Sequence, residues 1–314
     1  MIIDLHSDTV YKIWGNGGNL LRNENSIDKE KLIRGNVLAQ CFALFVPQHE
    51  HIPENKQGLS PWEMLNELHD VFVEKTEEAS IPVFQIGRND IPQAILTTEE
   101  GASIEGDISR LEILKEWGVR IFGLTWNFEN ELGYPNSDDK EIMGKGLKEK
   151  GIEAVRECGR LGIIVDVSHL SDGGFFDVMK YAEGPVIATH SNSRAVTAVS
   201  RNLTDEELRM LADKGGVTGL NLCPAFLHDE KAEKAEDAVS RVADMAEHVM
   251  HIYDTAGEDI LALGSDFDGI EGNLEIPSPD RFYLLFDELK RRGMKESVID
   301  KLSYENALRV LSSV

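Results

Sequence analysis

The segment "DLHSDTV" sets His6 and Asp8 two residues apart, directly behind the apolar run Ile2, Ile3 and Leu5. In an extended chain, residues two apart project to the same side. An imidazole and a carboxylate can therefore converge on one point, as two ligands of one cation do. Chemistry-bearing residues recur at the ends of later apolar runs. Glu99 and Glu100 close "QAILTTEE", Trp126 and Asn127 follow "VRIFGL", and His169 ends "IIVDVSH". His190 ends "PVIATH" with Arg194 close behind, and Asp266 and Asp268 follow "ILALGS". Of nine histidines, three hold such positions; His49, His51, His69, His228, His248 and His251 do not. A lone histidine at a strand end is usually a hydrogen-bonded structural residue. Three of them with several carboxylates at one end are costly to bury unless something compensates the charge, and a divalent cation compensates several groups at once. Imidazole and carboxylate together suit Zn²⁺, and this set has donors enough for two ions with one carboxylate bridging them. Two such ions share a hydroxide of lowered pKa and polarise a carbonyl, with Asp266 placed to take and return the proton.

These residues need a scaffold that delivers strand ends to one mouth. The apolar runs number eight: residues 2–5, 36–46, 93–100, 119–126, 163–169, 185–190, 217–223 and 260–266, nearly all separated by helical stretches. The helix beginning at Pro61 has Ser60 as N-cap with Glu63 three residues on, and Thr204 caps another. Residues 234–257 read as one long helix, and 279–293 and 295–314 as two closing amphipathic segments. Strand–helix alternation implies parallel strands with right-handed crossovers, and eight units in 314 residues fit a (β/α)₈ TIM barrel, an α/β fold. No G-x-G-x-x-G or P-loop fingerprint supports a doubly wound sheet. One domain over 1–314 is expected, with the turn-rich loop 133–146 lying over the mouth. There is no G-x-S-x-G elbow around Ser168, which argues against serine catalysis.

Composition narrows the partners. With 32 Lys+Arg against 56 Asp+Glu, the net charge of −24 repels phosphate backbones and anionic lipid, so neither nucleic acid nor membrane is expected. Three dispersed cysteines (Cys41, Cys158, Cys223) fit buried thiols in a reducing compartment. With no leader pattern and no long apolar span, a cytoplasmic protein is expected, and a homodimer is allowed.

In order along the chain, "DLHSDTV", "LTTEEGA", "LTWNFEN", "DVSHLS", "ATHSNSRAV", "VSRNLTDEEL" and "GSDFDGI" resemble the membrane (renal) dipeptidase family, peptidase family M19 of the amidohydrolase superfamily. The resemblance spans residue 2 to "ENALRVL" near the C-terminus. It implies a binuclear zinc dipeptidase with two Zn²⁺ per chain. His6 and Asp8 would bind one ion, His169 and His190 the other, and the glutamate after the third strand would bridge them. Family spacing lands on Glu99, and period two turns Glu100 away. Asp266 matches the acid/base. Arg201 matches the arginine that binds the substrate's terminal carboxylate, which restricts substrates to small dipeptides. One position departs: Trp126 stands where many relatives carry a histidine that holds the scissile carbonyl. Indole offers a single donor and no basic nitrogen, so Asn127 or a zinc ion would have to assist. The alternatives are a metal-dependent amidohydrolase acting on a non-peptide amide or lactone, and a catalytically silent barrel that only binds.

Overall fold

The computed structural model describes residues 1–88 and 92–314. Eight parallel strands close into a barrel in chain order: Ile2–Asp4, Val37–Phe45, Gln93–Glu99, Ile121–Gly123, Ile164–Asp166, Val186–Ala188, Val217–Leu220 and Leu261–Leu263. Every residue of the second strand, VLAQCFALF, is buried, because helices cover its outer face and the barrel interior its inner one. The two faces carry different cores. Ile3, Cys41, Ile95, Ile121, Ile187, Val217 and Ala262 fill the barrel's interior and pack on Val310 and Leu311 of the C-terminal helix. Val37, Phe42, Leu96, Phe122 and Val186 point outward to the helices. Cys41 is thus a small buried residue of the inner layer.

Along the third strand the period of two converts core into site. Ile95 lies in the inner apolar layer, Thr97 stands above it and Glu99 is at the top of the same face. Other inward positions likewise turn polar toward the C-terminal ends of the strands, where barrel sites lie.

The seam between the first and last strands closes the barrel. Asp4 pairs with Leu263, Leu5 N donates to Leu263 O (2.9 Å), Asp266 N to His6 O (3.3 Å) and Asp8 N to Phe267 O (2.9 Å).

Helix Pro61–Glu78 starts with a full capping box, Glu63 N on Ser60 Oγ and Ser60 N on Glu63 Oε2. Thr204 and Glu207 form another for helix Asp205–Asp213. Three segments depart from expectation. The helix expected over 234–257 begins at Val242. Ahead of it, Val239–Ser240 pairs with Asn273–Leu274, and Glu275 Oε2 accepts Val242 N at 2.7 Å, so residues from behind the last strand set the helix start. The final segment is helical over Glu296–Asp300 and Asn306–Leu311 around a wider π turn at Lys301–Glu305. There Asn306 Nδ2 donates to Glu258 O and Leu261 O, tying the helix to the root of the eighth barrel strand. The loop 133–146 contains a short helix, Lys140–Met143, and bonds the fifth strand's end through Asn136 N to His169 O (2.7 Å). It does not line the cavity described below. Among the described residues no helix is long and apolar enough to cross a membrane.

Candidate active site

The first strand ends at Asp4, so strand alternation alone does not aim His6 and Asp8. Ser7 is bridged to Phe267, and this seam turns both neighbouring side chains inward. Asp8 occupies the N-cap position of helix Thr9–Asn16 yet makes no capping bond. Its Oδ2 lies 3.5 Å from His6 Nε2 instead.

Glu99 stands between two groups. Its Oε2 is 3.2 Å from His6 Nε2, while its Oε1 is 3.0 Å from His169 Nε2 and 3.7 Å from His190 Nε2. Ligand atoms of His6, Asp8 and Glu99 lie within 4.8 Å of one another, as do those of Glu99, His169 and His190, and those of His6, His190 and Asp266. The neighbouring Glu100 leaves the strand with φ 86° and accepts bonds from Ala102 N (2.7 Å), Trp126 N (3.0 Å) and Asn130 Nδ2 (2.5 Å). It is a buried structural acceptor outside the cluster.

Hydrogen bonds behind the imidazoles set their tautomers. Thr189 Oγ1 donates to Asp166 Oδ2 at 2.5 Å and, its proton spent, accepts from His190 Nδ1 at 2.7 Å. Asp166 Oδ1 is held by Ser168 N and Thr189 N. His169 Nδ1 donates to Asn127 Oδ1 at 3.0 Å. Both Nε2 atoms are then bare lone pairs, and they face each other at 3.0 Å. Two lone pairs at that distance repel unless a positive centre lies against both. His6 Nε2, Asp8 Oδ1 and Glu99 Oε2 are likewise buried without a hydrogen-bond partner. Such orphans are rare in folded proteins, and here they sit together. The donor set fits a pair of divalent cations sharing Glu99, and its mixture of imidazole and carboxylate suits zinc.

The protein's own charges tell the same story. Burial pushes Glu99 up to about 7, His6 opposing and Asp8 and Asp266 assisting. Burial likewise raises Asp266 to about 6, with His6 opposing and Asp8 assisting. Burial, together with Arg201 and His6, holds His169 and His190 well below the usual imidazole range. Burial disfavours charge on His6 too, but Glu99 and Asp8 outweigh it and its pKa rises. Neutral imidazoles are the metal-binding form, and a cation restores the carboxylates' charge.

Backbone strain gathers here. His169 (φ 64°), Asp266 (φ 63°) and Asp268 (φ 68°) all adopt left-handed conformations that non-glycine residues rarely take. Asp266 Oδ2 accepts from Asn221 Nδ2 at 2.9 Å, and its Oδ1 lies 3.9 Å from His6 Nε2. Gly269 lies flat against this pair: a Cβ there would meet Asp8 Oδ2 head-on and Asp266 Oδ1 at 2.6 Å.

A cavity of about 390 Å³ opens over the cluster, near the lower end of the ~300–1,000 Å³ usual for small-molecule sites. Asp8, Glu99, His169 and Asp266 reach it from below, and Trp126 and Asn127 line its side. Arg201 does not line it. Its Nη1 donates to Ser191 Oγ (2.7 Å) and its Nη2 to His190 O (3.0 Å), while Nε is buried without a partner. It lies behind Phe226, a lining residue, 5.6 Å from that ring. Arg194 forms a two-bond fork with Asp172 and is not part of the cavity. Sequence reasoning passed over Asp166, Thr189 and the lining residues Tyr11 and Phe45, and it set His51 aside. For the first two the signal was present: polar residues inside "DVSH" and "ATH", beside histidines already singled out.

An uncharacterized protein in the pqqA 5′ region of Klebsiella pneumoniae is 36% identical over 234 residues, 72% of this chain and 84% of that one. The crystal structure of the dipeptidase AC, a metallo peptidase of family M19, superposes with a TM-score of 0.86 at 27% identity, covering 99% of this chain and 97% of the other. A metallo peptidase from Rhodobacter sphaeroides, liganded with a phosphinate mimic of the dipeptide L-Ala-D-Ala, gives 0.85 at 27% identity over 99% and 98% of the two chains. The sequence model of the membrane dipeptidases matches residues 1–314, and the chain belongs to that family, peptidase family M19.

Proposed function

We propose that the protein is a zinc-dependent dipeptidase, carrying two Zn²⁺ per chain and hydrolysing the single amide bond of small dipeptides. The observation that carries this reading is the position of Glu99, one carboxylate reaching His6 with one oxygen and His169 with the other. In this reading His6 and Asp8 hold one ion, His169 and His190 the other, and Glu99 both. When bound, such a pair would polarise the scissile carbonyl and make water more acidic. Asp266, buried beside His6 and steadied by Asn221, takes a proton from the attacking water and returns it to the leaving amine. Asn127, which holds His169 through Oδ1, has no other side-chain bond among the described residues and keeps Nδ2 for the substrate carbonyl. Arg201 receives the terminal carboxylate through its unpartnered Nε, after a shift of the Phe226 ring. The three unpaired cysteines suit the cytoplasm, where we place the enzyme.

The test combines elemental analysis with a turnover screen. Zinc-reconstituted protein should hold two ions and cleave L-L or L-D dipeptides, while the C-terminal amide and the tripeptide are poor substrates. Arg201→Ala should reduce turnover of the free acid by about 10- to 150-fold, the loss of one charge-assisted contact, and leave the amide nearly unchanged. Equal rates on acid and amide in the unmutated enzyme would favour a non-peptide amide or lactone as substrate. Zero zinc after reconstitution would end the binuclear reading.

A further inference from the structure

The cavity is not symmetrical about its floor. On the flank built by the first, second and fourth strands it is lined by Tyr11, Phe45, His51 and Trp126. These rings interlock edge to face: Tyr11 on Phe45 at 5.0 Å and 80°, Phe45 on Trp126 at 4.8 Å and 62°, His51 on Trp126 at 4.9 Å and 87°. His51 comes from the loop behind the second strand, and that loop is anchored. Tyr11 Oη donates to His51 O at 3.0 Å, and Lys56 pairs with Glu67 at 2.6 Å while lying over the Trp14 ring at 4.7 Å. The wall is therefore built before any ligand arrives, so little ordering cost falls on binding. The indole of Trp126, which removes a basic nitrogen from this position, is also its central member.

Arg201 and Phe226 stand elsewhere. Arg201 follows the sixth strand, and in a closed eight-stranded order the sixth strand lies across the barrel from the second. A dipeptide whose carboxylate points to the Arg201 side must carry its N-terminal residue under the second-strand side.

We infer that the wall of Tyr11, Phe45, His51 and Trp126 is the subsite for the side chain of the substrate's N-terminal residue, and that it selects large apolar or aromatic residues there. This rests on the dipeptidase reading for its orientation. Aromatic edge-to-face surfaces reward a further ring or branched aliphatic chain.

The experiment compares kcat/KM of the zinc-loaded enzyme on Phe-Ala, Leu-Ala and Gly-Ala with the reversed pairs Ala-Phe, Ala-Leu and Ala-Gly. Phe-Ala should exceed Gly-Ala by about 10-fold or more, the scale on which apolar pockets discriminate, and the reversed series should spread less. Trp126→Ala and Phe45→Ala should bring the Phe-Ala to Gly-Ala ratio close to one, mostly through KM, and Trp126→Phe should restore much of it. A second readout does not need turnover: calorimetric binding of Phe-Ala and Gly-Ala to the metal-free protein, with and without Trp126→Ala. Preferential, Trp126-dependent binding of Phe-Ala to the metal-free protein, with no hydrolysis of any dipeptide by the zinc-loaded enzyme, would uphold the wall and remove the dipeptidase reading. Hydrolysis of every dipeptide with a ratio near one, or a ratio that survives both alanine variants, would overturn the wall and leave that reading standing.

Discussion

Gly269→Ala adds a single methyl group at an exposed turn, where a surface substitution would ordinarily shift stability by about 0.5 kcal/mol or less. Here the added carbon would land on Asp8 Oδ2 and lie 2.6 Å from Asp266 Oδ1, whereas ordinary contact begins near 3.4 Å. Something must retreat by roughly an ångström, and misplacements of about 1 Å near reacting groups cost on the order of 100-fold. Asp8 is the easier group to move, since its Oδ1 has no partner and it makes no capping bond. Asp266 is held by Asn221 and by a left-handed backbone. The variant should therefore lose affinity first for the ion proposed at His6 and Asp8, then turnover, while its melting temperature stays within a few degrees. The assay is zinc content after dialysis against a chelator series, alongside kcat at saturating zinc and circular dichroism. Full retention of two ions with kcat within twofold of wild type would refute the reasoning, because Asp8 would then have no part in the site.

The adjacent glutamates should separate cleanly. Glu99→Gln should abolish binding of at least one ion and turnover while leaving the fold intact, as read by elemental analysis and thermal melts. Glu100→Gln should keep its metals but lose about 1–3 kcal/mol of stability in urea titrations, because an amide NH₂ would face donors that Glu100 now accepts. Thr189→Val removes the acceptor for His190 Nδ1 and should weaken zinc binding about 10- to 100-fold in competition with a chromophoric chelator. Unchanged affinity would remove the Asp166–Thr189 chain from the metal site. Asp266→Asn should retain both ions yet lower kcat by about 10²-fold or more, and near wild-type kcat would exclude it as proton carrier. Away from the site, burial and Asp172 push Glu207 up to about 7 from 4.5, with Thr204 and Arg194 opposing. Folded protein thus keeps a proton that the unfolded chain has lost, and this group's contribution to stability falls as pH rises from 4.5 toward 7. Glu207→Gln, which still accepts from Thr204 N, should gain stability relative to wild type across that window; a pH-independent difference in denaturant titrations would contradict it.

The barrel was legible because its signal is repetitive: eight apolar runs, six of them ending in polar residues, survive errors in any single boundary. Glu99 was separable from Glu100 because period two in a strand is a local rule, and Ile95, Thr97 and Glu99 obey it. The route by which Asp8 reaches the site was not legible. It depends on pairing with Phe267, more than 250 residues away in sequence. The start of the helix at Val242 was hidden for the same reason, since Glu275 and the pairing with Asn273 set it from a distance. Arg201's retreat behind Phe226 and the aromatic wall are matters of side-chain packing between loops, for which no spacing rule exists. His51 was set aside as a loop histidine because nothing nearby in sequence reveals the anchor on Tyr11.

The seam between the first and last strands has a consequence for how the protein comes to hold metal. His6 and Asp8 are synthesised well over 200 residues ahead of Asp266, Phe267 and Gly269, which orient them. A nascent chain thus carries these two side chains unaimed until the later residues are made. The cations proposed for this site would meet no finished chelate until the seam closes. A circular permutant opened between the fourth and fifth strands would synthesise the seam as one continuous piece and would reverse that order.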